Sequence, residues 1–151
     1  MFKFNWVLFN ELAISSAPSK QENLEYIYKE GIKSIFTLCS EDEVKLPNSI
    51  TQYFCHKRLI LPDHSYKINL KNDDMKKALD IMEELVEKGS VLVHCYAGVE
   101  RSPLICIAWL MHTKGLSIDD SLRYLMEVNP GTNPLPKQLN LLSEFFKNGF
   151  N

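Results

Sequence analysis

Apolar positions change period several times along this chain, and each change marks an element. Leu24, Ile27 and Tyr28 recur at helical spacing ahead of Gly31. Ser19 with Glu22 three positions on forms a capping box, so residues 20–30 are predicted helical. Ile32 to Leu38 reads as a strand, and the alternating run Thr51 to Ile60 as another. Asn72 to Lys88 is a helical pattern closed by Gly89, followed by the short β-branched run Val91 to His94. The final third is helical: Ser102 to Lys114, Ile118 to Val128 capped by Ser117, and Pro134 to Lys147 capped by Asn133 with the proline first. Residues 1–11 are apolar but interrupted by Asn5, Asn10 and Glu11, and read as an edge strand. This alternation predicts an α/β fold, a central mostly parallel sheet of about four to five strands flanked by helices. The Leu, Ile, Phe and Met stripes read as core. Trp109 is expected to pack under the helix that starts at Ser102, and Trp6 reads as either core or surface aromatic.

Size and charge narrow the function classes. At 151 residues the chain is predicted to form one domain, residues 1–151. The net charge is −2 with lysines scattered among acids, so no basic stripe marks a nucleic-acid or anionic-membrane partner. No segment approaches the roughly 20 apolar residues that span a bilayer, and the N-terminal polar residues break any signal-peptide core. The four cysteines have neither paired Cys-x-x-Cys spacing nor a zinc-type histidine pattern, so no metal or cofactor is implied.

The chemistry concentrates between the predicted strand ending at His94 and the helix starting at Ser102, in His94-Cys95-Tyr96-Ala97-Gly98-Val99-Glu100-Arg101-Ser102. A strand-to-helix loop of this length presents backbone N–H groups and a helix N-terminus to a tetrahedral dianion. Residues Tyr96, Ala97, Gly98, Val99, Glu100 and Arg101 supply that cradle. Gly98 lets the chain curl, and Arg101 has the planar fork that pairs with two phosphate oxygens. Cys95 is the nucleophile candidate: a free thiol titrates at about 8.5, and inward amides, the helix dipole and Arg101 all favour the thiolate. Ser102 either offers its hydroxyl to the departing sulfur or caps the following helix; the two roles are compatible. The other cysteines are internal controls, since Cys39, Cys55 and Cys106 are followed six positions later by Lys45, Leu61 and His112. A free thiol nucleophile belongs in a reducing compartment, so the cytoplasm is expected.

Expelling an alkoxide or phenoxide needs a proton donor, and the Cys–Arg loop has none. Asp63, in Leu61-Pro62-Asp63-His64-Ser65 after a predicted strand, is the best candidate; a Pro-Asp pair is otherwise only a turn, and His64 is the substitute. Asp73 and Asp74 read as first-turn helix stabilisers, as do Asp119 and Asp120 after Ser117. Glu41, Asp42 and Glu43 read as a solvated acidic loop.

The loop resembles the H-C-x-x-G-x-x-R-[S/T] signature of the protein tyrosine phosphatase superfamily, and its context is most similar to the dual-specificity branch. The resemblance covers most of the chain. It implies an α/β fold, a cysteinyl-phosphate intermediate, an aspartic general acid on a separate loop, and a histidine, here His94, that orders the loop through hydrogen bonds. It further implies that Cys39 stands where tensin-type and related phosphatases keep a second cysteine able to capture the oxidised nucleophile; otherwise Cys39 is a buried core cysteine. Cys55 and Cys106 read as structural.

The expected activity is hydrolysis of phosphomonoesters on a phosphoprotein, with phosphotyrosine accepted and phosphoserine or phosphothreonine also possible substrates, by a monomer. Positions 96, 97, 99 and 100 carry no lysine, which speaks against polyanionic phosphoinositide headgroups. Glu100 departs from the small or neutral residue usual there and should disfavour multiply phosphorylated ligands if its carboxylate faces the pocket. The competing readings are a phosphoinositide or small-molecule phosphatase, a non-catalytic phosphate-binding module, and a rhodanese-like sulfurtransferase, which would not need Asp63. A low-molecular-weight phosphatase would carry its loop after the first strand.

Overall fold

The computed structural model describes residues 1–65 and 68–149. Its centre is a five-stranded sheet in the order β1-β2-β5-β3-β4. The strands are β1 (Phe4–Leu8), β2 (Leu12–Ser15), β3 (Ser34–Thr37), β4 (Cys55–Arg58) and β5 (Val91–His94). All pairings are parallel except β1 with β2, a hairpin turned at Asn10, which adopts a left-handed φ of 61°. The edge strand is therefore where the N-terminal pattern places it. β2 went unseen in the sequence because Leu12-Ala-Ile-Ser15 is a four-residue run buried on both faces, without alternation.

The helices are α1 (Gln21–Lys29), α2 (Ile50–Tyr53), α3 (Asn72–Val86), α4 (Arg101–Lys114), α5 (Ile118–Val128) and α6 (Pro136–Lys147). Several boundaries correct the sequence reading. The segment Thr51 to Ile60 is not one strand: its first residues form the single turn α2, because Ile50 and Phe54, four apart, both enter the core beside Ile35 and Leu92. The Ser19–Glu22 capping box gives way to Lys20 and Asn23, where the backbone N–H of Lys20 donates to Asn23 Oδ1. The last helix starts at Pro136, not Pro134, with Leu135 as N-cap and its N–H donating to Gln138 Oε1 at 2.8 Å. Ser117 caps α5 as expected, accepting from Asp120 N–H.

The two sheet faces bury different partners. Ile35, Leu92 and Ala13 meet Leu24 and Ile27 of α1 and the α2 turn. Leu12, Ile14, Phe36 and Val93 meet the helical layer of α3 to α6. Helix α4 is buried without interruption from Arg101 to Leu110, walled in by α3, α5, α6 and the sheet. Trp109 belongs to α4 itself rather than packing beneath it, and its indole N–H donates to Glu11 at 3.1 Å. At about 1.5–3 kcal/mol per large buried apolar side chain, α4 is the element whose position the core dictates most strongly. Its N-terminus and the end of β5 bracket the Cys–Arg loop.

Candidate active site

The loop 95–100 leaves the carboxyl end of β5 and enters α4 at Arg101. Glu100 is the N-cap of α4, so Ser102 lies inside the first turn and does not cap it. Its hydroxyl stands 3.2 Å from Cys95 Sγ, both groups buried. Gly98 has φ 74°, and a Cβ there would come within 3.1 Å of the Ser15 carbonyl oxygen on β2. The turn therefore needs glycine for its conformation and for its close approach to the sheet.

Three of the loop's carbonyls are held by residues outside it. Tyr96 O accepts from Ala17 N–H at 2.9 Å, Gly98 O from the Asn129 amide at 3.1 Å, and Val99 O from Asn133 N–H at 2.8 Å. Asn129 and Asn133 flank the turn between α5 and α6. The Asn129 amide also donates to Thr132 Oγ1, and its oxygen accepts from Asn5 on β1. Tyr96, Ala97 and Val99 are exposed.

His94 sits beneath the loop, fully buried. Its Nδ1–H donates to the Cys95 carbonyl at 2.9 Å, so Nε2 is the acceptor and receives the Thr37 hydroxyl at 2.7 Å. Thr37 in turn accepts from His56 Nε2 at 2.8 Å. Burial above all, with the nearby His56, Arg58 and Arg101, brings His94 down to about 4 against the donating bond to Cys95, so it is a neutral ring.

Arg101 is 4% exposed, and its surroundings define how it can be used. Nη1 and Nη2 bond both carboxylate oxygens of Glu43 at 3.0 and 2.7 Å, and Nη1 also donates to Leu61 O at 3.2 Å. A guanidinium has five donors, which leaves the edge formed by Nε and one Nη2 hydrogen for a bidentate anion. Burial works against the charge, but Glu43, Cys95 and Asp63 outweigh it and Arg101 stays protonated. Glu43 is thus not part of a solvated acidic loop. It reaches inward from the turn after β3, held by Ser40 N–H at 3.1 Å. Its location just past the carboxyl end of a parallel strand, the same edge as Cys95, was the available signal.

Asp63 follows Leu61, whose N–H is anchored to Leu38 O at 3.0 Å. Its Oδ2 lies 3.7 Å from Arg101 Nη2, which brings the expected acid to the same site. Burial is the largest influence and pushes the Asp63 carboxyl up, but the Ser65 hydroxyl and N–H, with Arg101 and His64, prevail and hold it below its ordinary range. Glu100 does not offer its carboxylate to the cradle: one oxygen meets His64 Nδ1 at 2.8 Å and the other accepts from Gln138 at 2.7 Å. Cys39 is fully buried, and burial foremost, with Glu43 next, pushes its thiol up to about 11. Besides Glu43, sequence reasoning missed Thr37, His56, Asn129 and Gln138, ordinary polar residues whose roles come only from what the fold sets beside them.

Comparison with known proteins places the fold and the family. The family model described as dual specificity phosphatase, catalytic domain, matches residues 14–148. The chain is 34% identical over 114 residues to the dual specificity protein phosphatase Mpk3 of Drosophila melanogaster, covering 73% of this chain and 26% of that protein. The matches span between 9% and 29% of the length of the curated relatives. Among solved structures it resembles the human tyrosine phosphatase-like serine/threonine/tyrosine-interacting protein, with TM-score 0.82, 24% identity and 98% of each chain covered. It also resembles PTPMT1 in complex with PI(5)P, with TM-score 0.81, 17% identity, and 96% of this chain and 95% of that one covered; both likenesses concern the fold. The chain belongs to the dual specificity phosphatase family of enzymes, to which its residues 14–148 correspond as the catalytic domain.

Proposed function

We propose that this protein hydrolyses phosphomonoesters on phosphoproteins, phosphotyrosine foremost, with phosphoserine and phosphothreonine also as substrates, through a cysteinyl-phosphate intermediate. The observation that carries the reading is the unspent edge of Arg101, in the same first turn as Ser102, whose hydroxyl meets Cys95 Sγ, and 3.7 Å from Asp63. A phosphoryl dianion bonded along that edge and by the loop N–H groups would lie over the sulfur. Its charge beside Asp63 raises the carboxyl's proton affinity, which turns a resting carboxylate into an acid when substrate is present.

In the first step Cys95 sulfur attacks phosphorus, the S–P bond forms as the P–O bond breaks, and Asp63 delivers its proton to the leaving oxygen. In the second, the Asp63 carboxylate takes a proton from water as its oxygen attacks phosphorus. The P–S bond then breaks, and the Ser102 hydroxyl supports the departing thiolate. His94, bonded to the Cys95 carbonyl, holds the backbone from which the nucleophile projects.

A panel of phosphotyrosine, phosphothreonine and phosphoinositide substrates tests the reading. Cys95→Ser should abolish turnover, and Asp63→Asn should lower it by roughly two to four orders of magnitude with little change in binding. Full activity of Asp63→Asn on a phosphotyrosine peptide would overturn the assignment of the acid. Phosphopeptide binding without turnover would make the chain a binding module. The likeness to PTPMT1 with PI(5)P favours a second reading, phosphoinositide hydrolysis. Against it, cradle positions 96, 97, 99 and 100 hold Tyr, Ala, Val and Glu, with no cation for extra phosphates; preferential turnover of the lipid in the panel would establish it.

A further inference from the structure

Glu100 is an odd residue for the rim of an anion site, because an unpaired carboxylate there repels the ligand. The structure resolves this by engaging both of its oxygens elsewhere. We propose that Glu100 is a positioning residue that latches the loop bearing Asp63 to the start of α6, through His64 on one side and Gln138 on the other. The inference rests on the reading of Asp63 as the general acid.

Each contact is fixed from behind. Gln138 is 4% exposed, and its Oε1 already accepts the Leu135 N–H at 2.8 Å. Its amide can therefore present only the N–H end to Glu100, which it does at 2.7 Å. Glu100 has a side chain 13% exposed and the backbone of an N-cap, so it moves with α4 and the cradle. His64 lies 2.8 Å from the other oxygen and is the immediate neighbour of Asp63 in the chain. A displacement of His64 is thus passed to Asp63 through one peptide unit.

Beyond the buried Leu61, polar contacts hold the described part of this loop. Between the acid loop and α6 lies a cleft of about 190 Å³ lined by Pro62, Asp63, Leu70, Lys137, Gln138 and Leu141. Across it the loop is tied by polar contacts: the Glu100 bridge near Asp63, and Lys137 to Asn69 at 3.3 Å farther along. The charged groups facing His64 are Glu100, Asp63 and Arg101, of which Glu100 acts most strongly and favours the imidazolium.

The test uses the whole chain and compares a phosphate ester with a poor leaving group, such as a phosphoserine peptide, with an aryl phosphate of an acidic phenol that departs without a proton. His64→Ala and Gln138→Glu both lie outside the cradle, and the second keeps the oxygen that accepts the Leu135 N–H but cannot donate to Glu100. Each should lower kcat on the poor leaving group roughly tenfold, leave kcat on the activated ester within about twofold, raise KM alike on both esters, and add nothing to the kcat loss when combined. Parent-like turnover of both esters by His64→Ala, or equal loss on both, overturns the latch. Asp63→Asn, run alongside, separates the two assignments. If it is slow while His64→Ala is not, only the latch falls; if it is parent-like on the poor leaving group, the acid assignment falls and the latch with it.

Discussion

Arg101 illustrates how a buried charge is made useful by what is spent on it. Glu43 and the Leu61 carbonyl take three of its N–H donors and hold the guanidinium plane, so the edge left over is aimed before any ligand arrives. Glu43→Gln keeps a similar shape but removes the charge partner of a side chain that is 4% exposed. It should destabilise the fold by about 1–3 kcal/mol, seen in urea unfolding, and raise KM for a phosphotyrosine peptide more than it lowers kcat. His94 makes a second prediction, on pH. Its proton affinity falls from an ordinary 6.5 to about 4 on folding, so between these values the unfolded chain binds a proton that the folded chain refuses. Stability is therefore fully present above pH 6.5 and declines as pH falls toward 4, by about 3 kcal/mol from this group. Unfolding midpoints recorded across that window should slope less for His94→Gln than for the parent.

Among the elements, the short connection between α5 and α6 matters more for the site than its length suggests. Asn129 and Asn133 hold the carbonyls of Gly98 and Val99, and the same turn leads into the cap of α6, where Gln138 meets Glu100. Asn129→Ala leaves the buried oxygens of Gly98 and Thr132 without its amide. A loss of about 1–3 kcal/mol of stability is expected, with a raised KM because the cradle loses an outer tether; urea unfolding and steady-state kinetics measure the two effects. The elements themselves were unevenly legible. Val91–His94 and Ile118–Val128 carry strong local signals, a β-branched run and a capped amphipathic stripe. At Ile50 to Phe54 the apolar pattern suits either period, and the helical one wins only because Ile50 and Phe54 find one pocket in the core.

Over the whole molecule, the parallel arrangement sends β3, β4 and β5 to one edge, so Glu43, Asp63 and Cys95, far apart in the chain, come to one place. Cys39 lies two residues past the end of β3, near that edge, and its thiol is pushed up to about 11. Peroxide should oxidise Cys95 to a sulfenic acid with release of water, and the Cys39 sulfur should then displace water from it to form a disulfide. Peptide mapping of the oxidised protein is expected to find the two cysteines linked; Cys95 found only as sulfinic acid would refute it. The sequence by itself determined that the nine residues from His94 to Ser102 join a strand to a helix through a glycine turn, because a strand end, a glycine turn and a helix start are local events. The need for a proton donor on a second loop pointed to Asp63, and the resemblance supported that choice and named the family. Only the tertiary structure decided that Glu43 orients Arg101, that Thr37 and His56 stand behind His94, and that Glu100 faces His64 and Gln138 instead of the ligand. A side chain's partner is set by which strands and helices lie side by side, and that adjacency has no local signature in the chain.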